Sequence, residues 1–151
     1  MTRRTTIALA LAVPSAVMLV TQVFAWEGGY FQWHYVLPIA VLVPWLPILR
    51  SRGERLGHRV LLLDGIVCLV AAARIFSPVV PISGHALFLT YTFLTIRNRW
   101  YRLASGAAFL QAAWLKVFVW NESGSFVGGL LVGSLLAAPV LWQPDRGSKT
   151  S

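Results

Sequence analysis

The sequence predicts an all-α integral membrane protein, a bundle of six transmembrane helices with both termini on the cytoplasmic side. Three observations carry that expectation. Of 151 residues, 57% are hydrophobic and 12% charged, with a mean hydropathy of +0.67, too apolar for a soluble domain of this size. The apolar residues fall in six runs separated by short polar breaks. The basic residues alternate with those breaks, so that Arg3, Arg4, Arg50, Arg52, Arg55, Arg59, Arg97, Arg99, Arg102, Arg146 and Lys149 would all lie on one side of the membrane. The net charge of +8 is therefore a topology signal, and basic clusters at membrane boundaries exclude nucleic-acid binding as the function. The single cysteine, Cys68, lies inside an apolar run and excludes a disulfide framework or a thiolate metal site.

Taken in order, the run over 7–25 follows a short basic start, and Val23-Phe24-Ala25 resembles a signal-cleavage site. The run is long for a signal core, and its removal would break the alternation of charge, so it is read as a retained span kinked at Pro14. Residues 26–34 are aromatic-rich and carry no Lys or Arg, as in an outer loop with an aromatic belt. The second span, over 34–49, contains Pro38, Pro44 and Pro47, and the basic segment 50–59 marks the cytoplasm. The third span, over 60–76, carries Asp64 near its inner end and Arg74 near its outer end.

Pro81-Ile82-Ser83-Gly84-His85 opens the short fourth span, over 83–96, which ends on the basic cluster 97–102. The fifth span, over 103–120, holds Lys116 in its outer third, and 121–124 has turn composition. In the sixth, over 125–142, Gly129, Gly133 and Ala137 have the small-residue spacing that lets helices approach closely. The tail, 143–151, is polar and basic.

Depth picks out candidate site residues. At 1.5 Å per residue above the inner clusters, Arg74 lies roughly 22 Å up, Lys116 roughly 20 Å, His85 roughly 17 Å and His34 roughly 24 Å. Glu122 caps the same side. Asp64, roughly 8 Å up, belongs to another layer, where it is expected to pair with a cytoplasmic arginine. Ionisable groups cost about 2.5–3.5 kcal/mol each in hydrocarbon, so Arg74, His85 and Lys116, from three helices, are expected to converge on a wet, electropositive cavity open to the outside. The alternative for Arg74 and Lys116 is to snorkel to the outer headgroups, and for His34 an interfacial place among aromatics is the simpler reading. No metal or other cofactor is expected: there is no close ligand pair such as His-x-x-x-His, and the two cations would repel a metal ion.

These residues resemble the type 2 phosphatidic acid phosphatase superfamily of membrane phosphatases, over roughly residues 74–138. Ser83-Gly84-His85 is similar to the core of the family's second motif, with Pro81 displaced by one residue. Arg74 stands at the first motif's arginine, with Val67 at its lysine and Ile75 at its proline. Aligning Lys116 with the third motif's arginine puts Leu115 at its serine, Glu122 at its histidine and Phe126 at its aspartate.

The resemblance implies the phosphatase-like fold, a plasma-membrane location, and action on a lipid or isoprenoid phosphate at the outer leaflet. Arg74, Lys116 and the Ser83-Gly84 backbone would hold the phosphate, with His85 as general acid. Glu122, or a water it activates, would stand in the nucleophile's place, with His34 as a possible substitute. The competing reading is a non-catalytic member of the same fold that binds or helps move an anionic lipid, or assists a membrane partner. The replaced nucleophile and orienting acid motivate it.

Overall fold

A computed structural model of the protein describes residues 30–52, 58–73 and 82–142, and every element in them is helical. In chain order these are α1 (Tyr30–Ser51), α2 (His58–Ala73), α3 (Gly84–Thr95), α4 (Arg99–Trp114), which runs on into a single π-helical turn (Leu115–Val119), and α5 (Ser123–Leu141). Polar residues set the boundaries the sequence suggests. Between α3 and α4 the chain turns extended at Ile96, and the Asn98 side chain caps α4 by accepting from the backbone N–H groups of Trp100 at 3.0 Å and Tyr101 at 3.1 Å.

The six-span expectation is overturned. Among the described residues α5 is the one helix both long and apolar enough to cross a membrane. For α2, α3 and α4 the reason is length. A hydrocarbon core of about 30 Å needs about 20 residues of helix, whereas the 12 residues of α3 rise only about 18 Å and the 16 of α2 or α4 about 24 Å. In α1, a helix of 22 residues, the described side chains begin at Ile39, and Ile39–Ser51 is apolar. The predicted span over 7–25 and both termini lie outside the described residues. A six-span bundle of the phosphatase type therefore gives way to an all-helical bundle with, among the described residues, one helix both long and apolar enough to span.

Helix α3 is the centre of that bundle, buried continuously from Gly84 to Thr92. Its neighbours reach it through small residues. A Cβ at Gly129 would lie 2.4 Å from the Ser83 carbonyl oxygen and one at Gly133 2.6 Å from that of Leu87, so α5 meets α3 backbone to backbone. Ala137, one helical step further along α5, is also fully buried. On the other side a Cβ at Gly84 would lie 2.8 Å from the Ala71 carbonyl oxygen, which sets the approach of α3 to α2.

A buried polar network closes the opposite end of α3. Arg50 and Asp64 are both fully buried, and the guanidinium donates to the carboxylate from Nε at 2.8 Å and Nη2 at 3.1 Å. Nη2 also donates to Thr95 Oγ1 at 3.0 Å, and Tyr91 Oη donates to Asp64 Oδ1 at 2.7 Å. One carboxylate thus joins α1, α2 and α3 through three charge-assisted hydrogen bonds. Asp64 pairs with an arginine from the adjoining basic segment, as the sequence suggests. Tyr101 Oη adds a fourth helix to this layer by donating to the Leu42 carbonyl oxygen at 3.1 Å.

Candidate functional site

The end of α3 that begins at Ser83 is where the predicted site residues gather. Ser83 is the N-cap of α3 and fully buried, its Oγ facing the Ala86 N–H at a long 3.4 Å. Its own N–H donates to the Ser125 carbonyl oxygen at 2.7 Å, pinning the start of α3 to the first turn of α5. That bond turns the Ser83 N–H away from the anion-cradling task the family resemblance implies. Gly84 serves helix packing, as its approach to Ala71 requires. His85 follows in the first turn of α3, 4% exposed.

The facing wall is the connection from α4 to α5. The π turn Leu115–Val119 closes with the Trp120 N–H donating to Leu115 O at 2.9 Å, and the Glu122 N–H donates to Lys116 O at 2.7 Å. Between them Asn121 takes the left-handed conformation, φ 54°, which asparagine tolerates better than most residues. This tight reversal brings Glu122 back onto Lys116, and the two side chains form an ion pair. Lys116 is buried, its Nζ 5.1 Å from the centroid of the Trp120 ring, whereas the Glu122 carboxylate is half-exposed. Ser125 Oγ donates to the Glu122 carbonyl oxygen at 3.0 Å and lies 3.3 Å from the Glu122 carboxylate.

Of the predicted site residues, then, Ser83, Lys116 and Glu122 are linked, and Ser125 is the link. Its place in the first turn of α5, three residues after Glu122, lets its hydroxyl reach back to the turn, a contact that residue type and spacing alone do not specify. Phe126, at the orienting aspartate's position in the resemblance, is buried with its ring 5.1 Å from that of Phe109. Arg74 lies outside the described residues, as does the side chain of His34, whose backbone belongs to α1.

The two polar layers are distinct. Ser83 and Tyr91 are eight residues apart on one helix, about 12 Å along its axis. Between α3, α4 and α5, on the Tyr91 side, lies a groove of about 930 Å³ that none of the predicted site residues lines. Among the described residues no three of His, Cys, Asp and Glu cluster as a metal site would require.

Comparison of the chain with protein-family models, with curated proteins and with solved structures finds no match. The functional reading therefore rests on the residues and their geometry.

Proposed function

We propose that the protein is a membrane-embedded helical bundle that binds an anionic lipid and performs no phosphoryl transfer on it. The observation that carries this reading is the Lys116–Glu122 ion pair. Transfer of a phosphoryl group to a side chain needs an oriented nucleophile and a cationic cradle with charge to spare for the phosphate. Glu122, which the phosphatase resemblance would put in the nucleophile's place, has its carboxylate committed to Lys116 and near Ser125 Oγ. Lys116 in turn has its charge matched within the pair, so an incoming phosphate would meet a neutral couple instead of a cation. Phe126 packs into the core where an orienting acid would be needed. The polar end of α3 is on this reading a clamp between α3 and α5.

Membrane embedding is supported by α5 and by the surface of the bundle. Leu62, Leu103, Leu110, Phe118, Leu135 and Trp142 are all exposed, a perimeter that water would penalise and lipid would not. The basic cluster Arg97, Arg99 and Arg102 at the start of α4 favours anionic headgroups over zwitterionic ones.

The test is to give purified full-length protein a panel of phosphatidate and polyprenyl phosphates. The expected outcome is saturable binding of the anionic lipids over phosphatidylcholine, with no phosphate release above a protein-free blank. Phosphate release that disappears in His85→Ala would overturn the reading.

A further inference from the structure

We propose that the groove between α3, α4 and α5 is the lipid site, taking one anionic lipid with its headgroup at Arg99 and Arg102 and an acyl chain along α4 towards Leu110. This rests on the reading that the bundle binds an anionic lipid, and it places that lipid at the opposite end of α3 from Ser83 and His85. The groove holds about 930 Å³, at the upper end of the roughly 300–1,000 Å³ usual for small-ligand sites. Its wall is mostly apolar, with Phe93 from α3, Leu103 and Leu110 from α4, and Leu130 from α5. Leu103 and Leu110 are exposed, so the groove opens sideways, where a lipid can enter from the surrounding leaflet.

Three features specify an anionic amphiphile as the occupant. First, Arg99 and Arg102 line one end and no acidic residue lines any part of it. Their guanidinium groups lie over aromatic rings, Arg99 5.0 Å from the Trp100 centroid and Arg102 5.1 Å from that of Phe93, and no carboxylate pairs with either among the described residues. The positive end of the α4 dipole adds to the same field. Second, Thr90 also lines the groove, is 9% exposed, and its Oγ1 has no hydrogen-bond partner. The hydroxyl is itself sealed from the groove, a costly unsatisfied burial that a turn of the side chain towards a lipid ester carbonyl would relieve. Third, Arg102 and Leu110 are eight residues apart, about 12 Å along α4, most of one leaflet of a hydrocarbon core about 30 Å thick. Charged head, polar joint and apolar tail are thus matched in order by arginines, a threonine and leucines.

The experiment is native mass spectrometry of the full-length protein in mild detergent, titrated with phosphatidylglycerol or phosphatidylcholine. The expected result is preferential phosphatidylglycerol binding, weakened about thirtyfold in the Arg99→Gln/Arg102→Gln double variant, the loss anticipated for two arginines at a headgroup. Arg52→Gln, which removes an exposed charge outside the groove, should change it little, and Ala107→Trp, which fills the groove from α4, should reduce binding of any lipid. Retained phosphatidylglycerol preference in both groove variants would overturn the groove assignment while leaving the anionic-lipid reading standing. Equal binding of the two lipids by the unaltered protein would overturn both. A photoreactive label on Ala107→Cys, with Cys68→Ala removing the native thiol, decides between lipid and the chain's own apolar segment 7–25. Cross-links to added phosphatidylglycerol support the proposal, and cross-links confined to that segment overturn it.

Discussion

Truncating Asp64 to alanine probes the buried Arg50–Asp64 ion pair. Arg50 and Asp64 are both fully buried, and the carboxylate accepts two hydrogen bonds from Arg50, at 2.8 and 3.1 Å, and one from Tyr91 at 2.7 Å. Removing it leaves a guanidinium charge in the interior, which costs about 3–5 kcal/mol. It also strands the Tyr91 hydroxyl, for a further 1–3 kcal/mol or so if nothing replaces the carboxylate. These do not add simply because the groups share one network, so about 4 kcal/mol is the expected loss. Tyr91→Phe, which deletes one charge-assisted bond and leaves the ion pair, should cost about 1.5–3 kcal/mol. The pair itself need not be stabilising relative to apolar residues, because burying both charges is costly. Arg50→Leu/Asp64→Leu should therefore be more stable than either single variant, with a coupling of at least about 2 kcal/mol in the double-mutant cycle. The assay is denaturant unfolding in mild detergent, followed by helical circular dichroism. Asp64→Ala within about 1 kcal/mol of the unaltered protein, or a double variant no better than its worse single, would show that no uncompensated charge is left in the interior.

Further outcomes follow from the same contacts. Gly129→Ala should destabilise by about 1–3 kcal/mol by forcing α5 off the Ser83 carbonyl, whereas Gly65→Ala, with nothing within 4 Å of the new Cβ, should stabilise α2 by up to about 1 kcal/mol. The opposite signs are readable in one thermal-unfolding series. Phe126→Ala should cost about 3–5 kcal/mol through the cavity left beside Phe109, measured as a fall in denaturation midpoint. Ser125→Ala should cost only about 0.5–1.5 kcal/mol, since the Ser83 N–H bond to the Ser125 backbone survives and only the hydroxyl bond to Glu122 is lost.

What the sequence disclosed and what it concealed divide along physical lines. Charge clusters and polar breaks mark helix ends locally, so α3, expected over 83–96, is found at Gly84–Thr95, and α5, expected over 125–142, at Ser123–Leu141. The glycines of α5 announced a close helix contact because only small residues allow one, though not that the partner would be α3. Apolar composition, by contrast, does not distinguish a helix facing lipid from one buried among its neighbours. Helix α3 is apolar because it is the core, and at 12 residues it is too short to cross a bilayer, which is where the count of six failed. The Lys116–Glu122 pair depends on a π turn and a left-handed Asn121 that no residue spacing specifies. Depth along the sequence brought those two side chains to one level without showing that they would neutralise each other. Arg99 and Arg102 were legible as markers of a membrane face, while the groove beside them exists only once three helices leave a gap.

Binding of an anionic lipid that is left intact can be followed by phosphorus NMR of the full-length protein titrated with phosphatidate in mixed micelles. A saturable shift and broadening of the lipid phosphate signal, with no inorganic phosphate growing in over hours, is the predicted result. A growing inorganic phosphate signal, or a lipid signal indifferent to the protein, would contradict it.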